Sequence, residues 1–107
     1  MITCIITYEI DPNKKALFDL YAQNWGKCIP RCGANLVGYF GPHEGSTTTA
    51  YGIYHIASLA EYEIYKQKLA LDPLGHENFE FAKQEGFIRN ESRLFLKRVS
   101  APHGGGQ

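Results

Sequence analysis

The chain has 107 residues, 44% of them apolar and 21% charged, and its 11 basic side chains balance its 11 acidic ones. That length allows one domain, which buries only about two thirds of its unfolded surface. Balanced charge gives a phosphate backbone nothing to hold, so nucleic acid is excluded as an expected partner. No apolar run approaches the ~18 residues that span a bilayer, so no membrane span is expected either. Cysteines number three, Cys4, Cys28 and Cys32. An odd count, with no signal-peptide pattern after Met1, points to a reducing cytoplasm.

Ile2 to Ile10 alternates, with Ile2, Cys4, Ile6, Tyr8 and Ile10 on one face and Thr3, Ile5, Thr7 and Glu9 on the other. The β-branched content predicts a strand. Asp11-Pro12 supplies a capping side chain and a ring pre-set for the first helical turn, so a helix is predicted from there to about Arg31. Leu17, Leu20, Tyr21, Trp25, Cys28 and Ile29 form its apolar stripe. Pro30 predicts a kink or a loosened last turn, and Gly33 the stop. Ala34 to Phe40 reads as the second strand, with Leu36, Gly38 and Phe40 on one face and Val37 and Tyr39 on the other. The glycine inside it suggests a bulge or a close approach. Residues 41–46 are dense in turn formers and predict a hairpin loop. Thr47 to Ala57 is the third strand, where Tyr51, Ile53 and His55 alternate with Gly52, Tyr54 and Ile56.

Ser58 and Glu61 make a capping box that opens a second helix, lined on one side by Leu59, Tyr62, Tyr65 and Leu69. Asp72-Pro73 repeats the cap-plus-proline device and starts a further helix at a changed angle. It carries Leu74, Phe79, Phe81 and Ala82 and stops at Gly86. Arg89 to Val99 is the last strand, and residues 100–107 are expected to form a flexible C-terminal tail. The order β-α-β-β-α-(α)-β predicts a ferredoxin-like α+β domain over residues 1–99, an antiparallel four-stranded sheet with helices on one face. The strands are not polar on either side. The bare face therefore needs a cover, and a second copy packed sheet to sheet would supply it as a dimeric α+β barrel. A cavity is expected between sheet and helices or within that barrel.

Three stretches carry a resemblance: Leu36-Val-Gly-Tyr-Phe40, the run from Tyr51 to Glu63 with its Ser-Leu-Ala turn into a helix, and Asp72-Pro73 followed downstream by Glu91-Ser-Arg-Leu94. With Tyr8 closing the first strand, their order and spacing make the chain resemble the NIPSNAP family from Met1 to about Val99. The resemblance implies a dimeric α+β barrel, shared with small cofactor-free monooxygenases and similar ligand-binding modules, and no agreed chemistry. NIPSNAP-like first strands often carry a Glu and an Arg before that tyrosine. Cys4 and Ile6 stand in those places here, which implies a more apolar cavity.

His55, inside an apolar strand, is the candidate general base, or else a core histidine bonded to a neighbour. Tyr8, Tyr39, Tyr51 and Tyr54 could turn phenols into one cavity, the alternative being cross-strand aromatic packing. Trp25 and Arg31 on the first helix would suit a planar or anionic molecule, or serve as core and as a solvated cation. His43 and His76 are expected in solvent. Glu91 and Arg93 share a face of the last strand and read as a surface ion pair or a contact across a dimer seam. Cys28 and Cys32 fall short of a zinc site, which needs four close ligands, so no metal and no cofactor is expected. No catalytic triad, phosphate-binding glycine loop, HExxH or CxxC is present. Three functions fit these residues. One is a homodimer with an apolar, tyrosine-lined pocket for a small apolar or aromatic ligand. Another is a cofactor-free monooxygenase or isomerase acting on a small aromatic or polyketide-like substrate. The third is an interaction domain whose pocket is filled.

Overall fold

A computed structural model describes residues 1–102. It contains β1 (Ile2–Ile10), a short 3-10 turn (Pro12–Lys14), α1 (Lys15–Arg31), β2 (Asn35–Phe40), β3 (Thr49–Ile56), α2 (Leu59–Leu71), α3 (Pro73–Glu85) and β4 (Ile88–Leu96). The four strands pair antiparallel in the order β2-β3-β1-β4. This is the expected ferredoxin-like arrangement. Residues 100–102 are outside regular structure, and the rest of the expected tail, 103–107, lies outside the described residues. No helix among the described residues is long and apolar enough to cross a membrane.

The caps written in the sequence form. Asp11 accepts the Asn13 N–H at 2.9 Å, but the chain makes the 3-10 turn first, and α1 begins only at Lys15. Pro30 sits in the last turn of α1 without ending it. The Cys32 N–H is shared between the Cys28 and Ile29 carbonyls at 3.1 and 3.2 Å, a bifurcated bond common at helix ends. Ser58 Oγ accepts the Glu61 N–H at 3.1 Å. Asp72 accepts the Gly75 N–H at 2.8 Å and is gripped through both oxygens by Arg31, at 2.8 and 2.9 Å. The Arg31 guanidinium, helped by that N–H, holds the Asp72 carboxyl well below the usual carboxylate range. One carboxylate thus caps α3 and ties the α2–α3 corner to the end of α1.

The inner face of the sheet, Cys4, Ile6, Tyr8 and Ile10 with Ala50, Tyr54 and Ile56, is buried against the helices. The buried stripe of α1 is Phe18, Tyr21, Trp25, Cys28 and Ile29. This corrects the expected stripe, because Phe18 is 1% exposed whereas Leu20 is 48% exposed. Asn78 of α3 is the buried polar residue. It donates to the Tyr21 carbonyl and accepts from the Asn24 amide, both at 3.0 Å, so it fastens α3 to α1 without an orphaned group.

β2 carries the bulge that Gly38 suggested. Leu36 faces Tyr54 and Gly38 faces Ile53, which leaves Val37 as the extra residue. The bulge changes which residues share a face. Leu36 and Tyr39 both turn inward, and Gly38 and Phe40 turn outward, in place of the simple alternation expected. Tyr39 then lies opposite Gly52. The outer face is uncovered and apolar: Phe40, Tyr51, Leu94 and Leu96 are each 40–50% exposed.

A Cβ at Gly52 would stand 2.7 Å from Cζ of Tyr39, a ring hemmed in by Tyr8 and Phe18. Gly52→Ala should therefore destabilise the fold by about 1–3 kcal/mol in urea denaturation, and Tyr39→Leu in the same chain should remove most of that cost. A Gly52→Ala protein as stable as the parent would contradict this packing.

Candidate functional site

Sheet and helices do not close on one another. Between them lies a cleft of about 320 Å³, lined by six of the chain's seven tyrosines together with Trp25 and Phe79. The strands contribute Tyr8, Tyr39 and Tyr54, α1 contributes Tyr21, and α2 contributes Tyr62 and Tyr65. Rigid rings packed edge to face prop the layers apart. Tyr21 meets Trp25 at 5.6 Å between centroids, Trp25 meets Phe79 at 5.0 Å, and Tyr62 meets Phe95 of β4 at 4.7 Å. The floor is the inner face of β2, β3 and β1, where the Tyr8 and Tyr39 hydroxyls share a hydrogen bond of 3.0 Å across β3.

Charge enters from three side chains, Lys66, Glu91 and Arg93. Strand register sets the last two. Glu91 pairs with Tyr8 and Arg93 with Ile6, so both point to the helix side of the edge strand. Arg93 Nη2 lies 3.4 Å from Glu91 Oε2, and the two side chains are 38% and 37% exposed. The expected surface ion pair forms, at the rim of the cleft. One expectation is corrected: the cleft is not without a Glu and an Arg, since both come from β4, beside Tyr8 and Ile6 of β1.

Burial decides the protonation of the cleft. It pushes Tyr21 up to about 12 and raises Tyr8, Tyr39, Tyr54 and Tyr65 as well. At neutral pH these phenols are neutral hydrogen-bonding groups and not bases. The thiols are silent too. Burial raises Cys4 and Cys32, and burial together with the nearby Asp72 carboxylate pushes Cys28 up to about 12. All three are buried and unpaired. Among the described residues no three His, Cys, Asp or Glu side chains gather as metal ligands would.

Of the five expected pocket residues, Tyr8, Trp25, Tyr39 and Tyr54 line this cleft. Tyr51 and His55 do not join them. They sit on the outer face of β3, opposite Thr7 and Thr3, and His55 Nδ1 lies 2.9 Å from Thr3 Oγ1. Arg31 is engaged by Asp72, outside the cleft. His43 and His76 are exposed. Sequence reasoning missed Tyr21, Tyr62, Tyr65, Glu91 and Arg93 as cleft residues. For the last two the signal was the alternation Glu91, Arg93, Phe95, since Phe95 must face the core.

The sequence signature of the NIPSNAP family matches residues 3–102. No curated protein matches the chain. A solved NIPSNAP family protein with unknown function from Agrobacterium tumefaciens is 20% identical, with a TM-score of 0.78 over 94% of this chain and 91% of its own. A NIPSNAP domain protein from Burkholderia xenovorans is 17% identical, with a TM-score of 0.77 over 95% of this chain and 99% of its own. A candidate antibiotic biosynthesis monooxygenase from Nitrosomonas europaea is 9% identical, with a TM-score of 0.72 over 94% of this chain and 100% of its own. At these identities the likenesses speak for the fold alone, but the signature spans nearly every residue the fold uses, and the chain belongs to the NIPSNAP family.

Proposed function

We propose that the protein is a homodimer in which each subunit binds a small, flat, largely apolar molecule in the aromatic cleft. The cleft itself carries the reading. Its volume of about 320 Å³ falls within the range of small-molecule sites, its walls are mostly aromatic, and a few polar groups converge on it. The Tyr8–Tyr39 hydroxyl pair offers a hydrogen bond to an oxygen on such a ligand, and neutral phenols suit that task.

The homodimer rests on the outer face. Phe40, Tyr51, Leu94 and Leu96 form an apolar surface no helix covers, and burying it would stabilise an association by about 25 cal/mol per Å² of apolar area removed from water. A second sheet packed there completes the barrel. Tyr51 and His55 then face the space between the two sheets. Three unpaired thiols fit a reducing compartment, and we place the protein in the cytoplasm on that basis.

A second reading, a cofactor-free monooxygenase or isomerase, draws on the fold shared with the Nitrosomonas europaea protein. This is fold-level analogy. An isomerisation of an already acidic substrate needs only a base and a dry cleft; a monooxygenation needs dioxygen as well, which the substrate's own carbanion reduces, one oxygen atom staying on carbon and the other leaving as water. With the phenols neutral, the carboxylate at hand in the cleft is Glu91. His55 serves such a reaction only from the inter-sheet side.

Sedimentation equilibrium at micromolar concentration is expected to give a dimer, and Leu94→Glu a folded monomer; a dimeric Leu94→Glu protein would move the interface elsewhere. Native mass spectrometry should show one extra small mass per subunit, lost in Tyr54→Ala. Alkaline titration tests the phenols. Their folded pKa values lie above the ordinary value of about 10, so this contribution is complete below that pH and falls away as pH rises through the raised values. Phenolate absorbance should appear in one cooperative step with unfolding. Gradual ionisation near pH ~10 with the fold intact would show a cleft filled with water.

A further inference from the structure

We infer that the cleft takes an aromatic acid, and that Arg93 receives its ionised carboxylate. The inference rests on the reading of the cleft as a small-molecule site and adds the ligand's charge to it.

Arg93 is placed for this task by backbone geometry. Its Cα is fixed opposite Ile6 by the β1–β4 ladder, and two residues on Phe95 is locked edge to face against Tyr62. The guanidinium carries five N–H donors in a planar fork that matches a carboxylate in two places. Among the described residues it makes one hydrogen bond, a long one of 3.4 Å to a single oxygen of Glu91. The fork is therefore largely unused, although the side chain is more than half covered at 38% exposure. A guanidinium stays charged at any physiological pH, so this site attracts an anion at all times.

The other charges are paired off. Lys66, on the α2 rim, lies 5.0 Å from the centre of the Tyr62 ring and pairs with Glu63 at 3.2 Å. That leaves Arg93, whose contact with Glu91 is the long one, as the lining cation with donors to spare for an anionic ligand. The aromatic walls favour a planar body behind the acid group, because stacked and edge-to-face contacts need flat faces. Glu91 opposes the ligand's carboxylate at close range. It therefore works as a selectivity device, weakening any anion that fails to fill the aromatic walls as well.

Isothermal titration calorimetry with 2-naphthoate and its uncharged twin 2-naphthamide separates the claims. The acid should bind about tenfold or more tighter than the amide. Arg93→Gln should abolish that preference while leaving amide affinity within about twofold, and Glu91→Gln should tighten the acid alone. Added salt should weaken the acid and spare the amide. Equal binding of acid and amide overturns the inference and leaves the pocket reading standing, as does an Arg93→Gln protein that keeps the preference. Heat from neither probe removes both readings. Should Arg93→Gln fail to fold, the acid-over-amide ratio of the parent and the gain in Glu91→Gln decide the matter without it.

Discussion

Tyr39 lies flat over Gly52, and the shape of the inner face follows from that contact. A side chain at residue 52 would stand 2.7 Å from the tyrosine ring, so only a glycine lets the ring settle on the sheet. The bulge at Val37 turns Tyr39 inward, and the register across β3 sets it over residue 52. Once there, its hydroxyl meets that of Tyr8 at 3.0 Å, and two phenols that would otherwise be stranded in an apolar core satisfy each other. The rings of Phe18 and Tyr21 then pack around this pair, with Trp25 edge to face on Tyr21, and set the spacing of α1 from the strands. The cleft is the space that rigid aromatics cannot fill, because interiors tolerate such a gap only where no side chain can reach a good rotamer within it.

The fold has more apolar sheet than helix. Three helices cover one face, and the other presents Phe40, Tyr51, Leu94 and Leu96 to solvent. The edge position of β4 has a separate consequence inside. Because β4 is flanked on one side only, Glu91 and Arg93 reach into the cleft while keeping part of their surface in water. A charged pair at that depth retains part of its hydration and avoids the heavy penalty of full burial. The mouth is thus charged and the interior neutral, with phenols whose protons burial holds in place.

Much of the architecture was legible because capping is local chemistry. Asp11, Ser58 and Asp72 announce helix starts, and Gly86, at φ 63, announces an end. These residues act on their own neighbours, so no knowledge of the fold is needed to read them. Facing was harder. When both sides of a strand are apolar, alternation says which residues share a side but not which side the helices take. That is why Tyr51 and His55 could be grouped with Tyr54, although neighbouring positions must diverge. A one-residue bulge in β2 likewise reversed the facing of Phe40 and Tyr39 relative to Leu36, and only pairing with β3 reveals it. Arg93 and Glu91 read as a surface pair, which they form, but their place on the cleft rim is set by pairing with β1, some eighty residues earlier in the chain.

The central claim is a hollow inner face, walled by tyrosines and open at Arg93. A crystal structure of the unmodified protein tests it most directly. Ordered density for a ligand or for bound water between Tyr54, Tyr62 and Arg93 is expected, with Tyr39 still lying over Gly52. Tyr62, Phe79 and Leu69 collapsed together, leaving no room beside Tyr54, would contradict it.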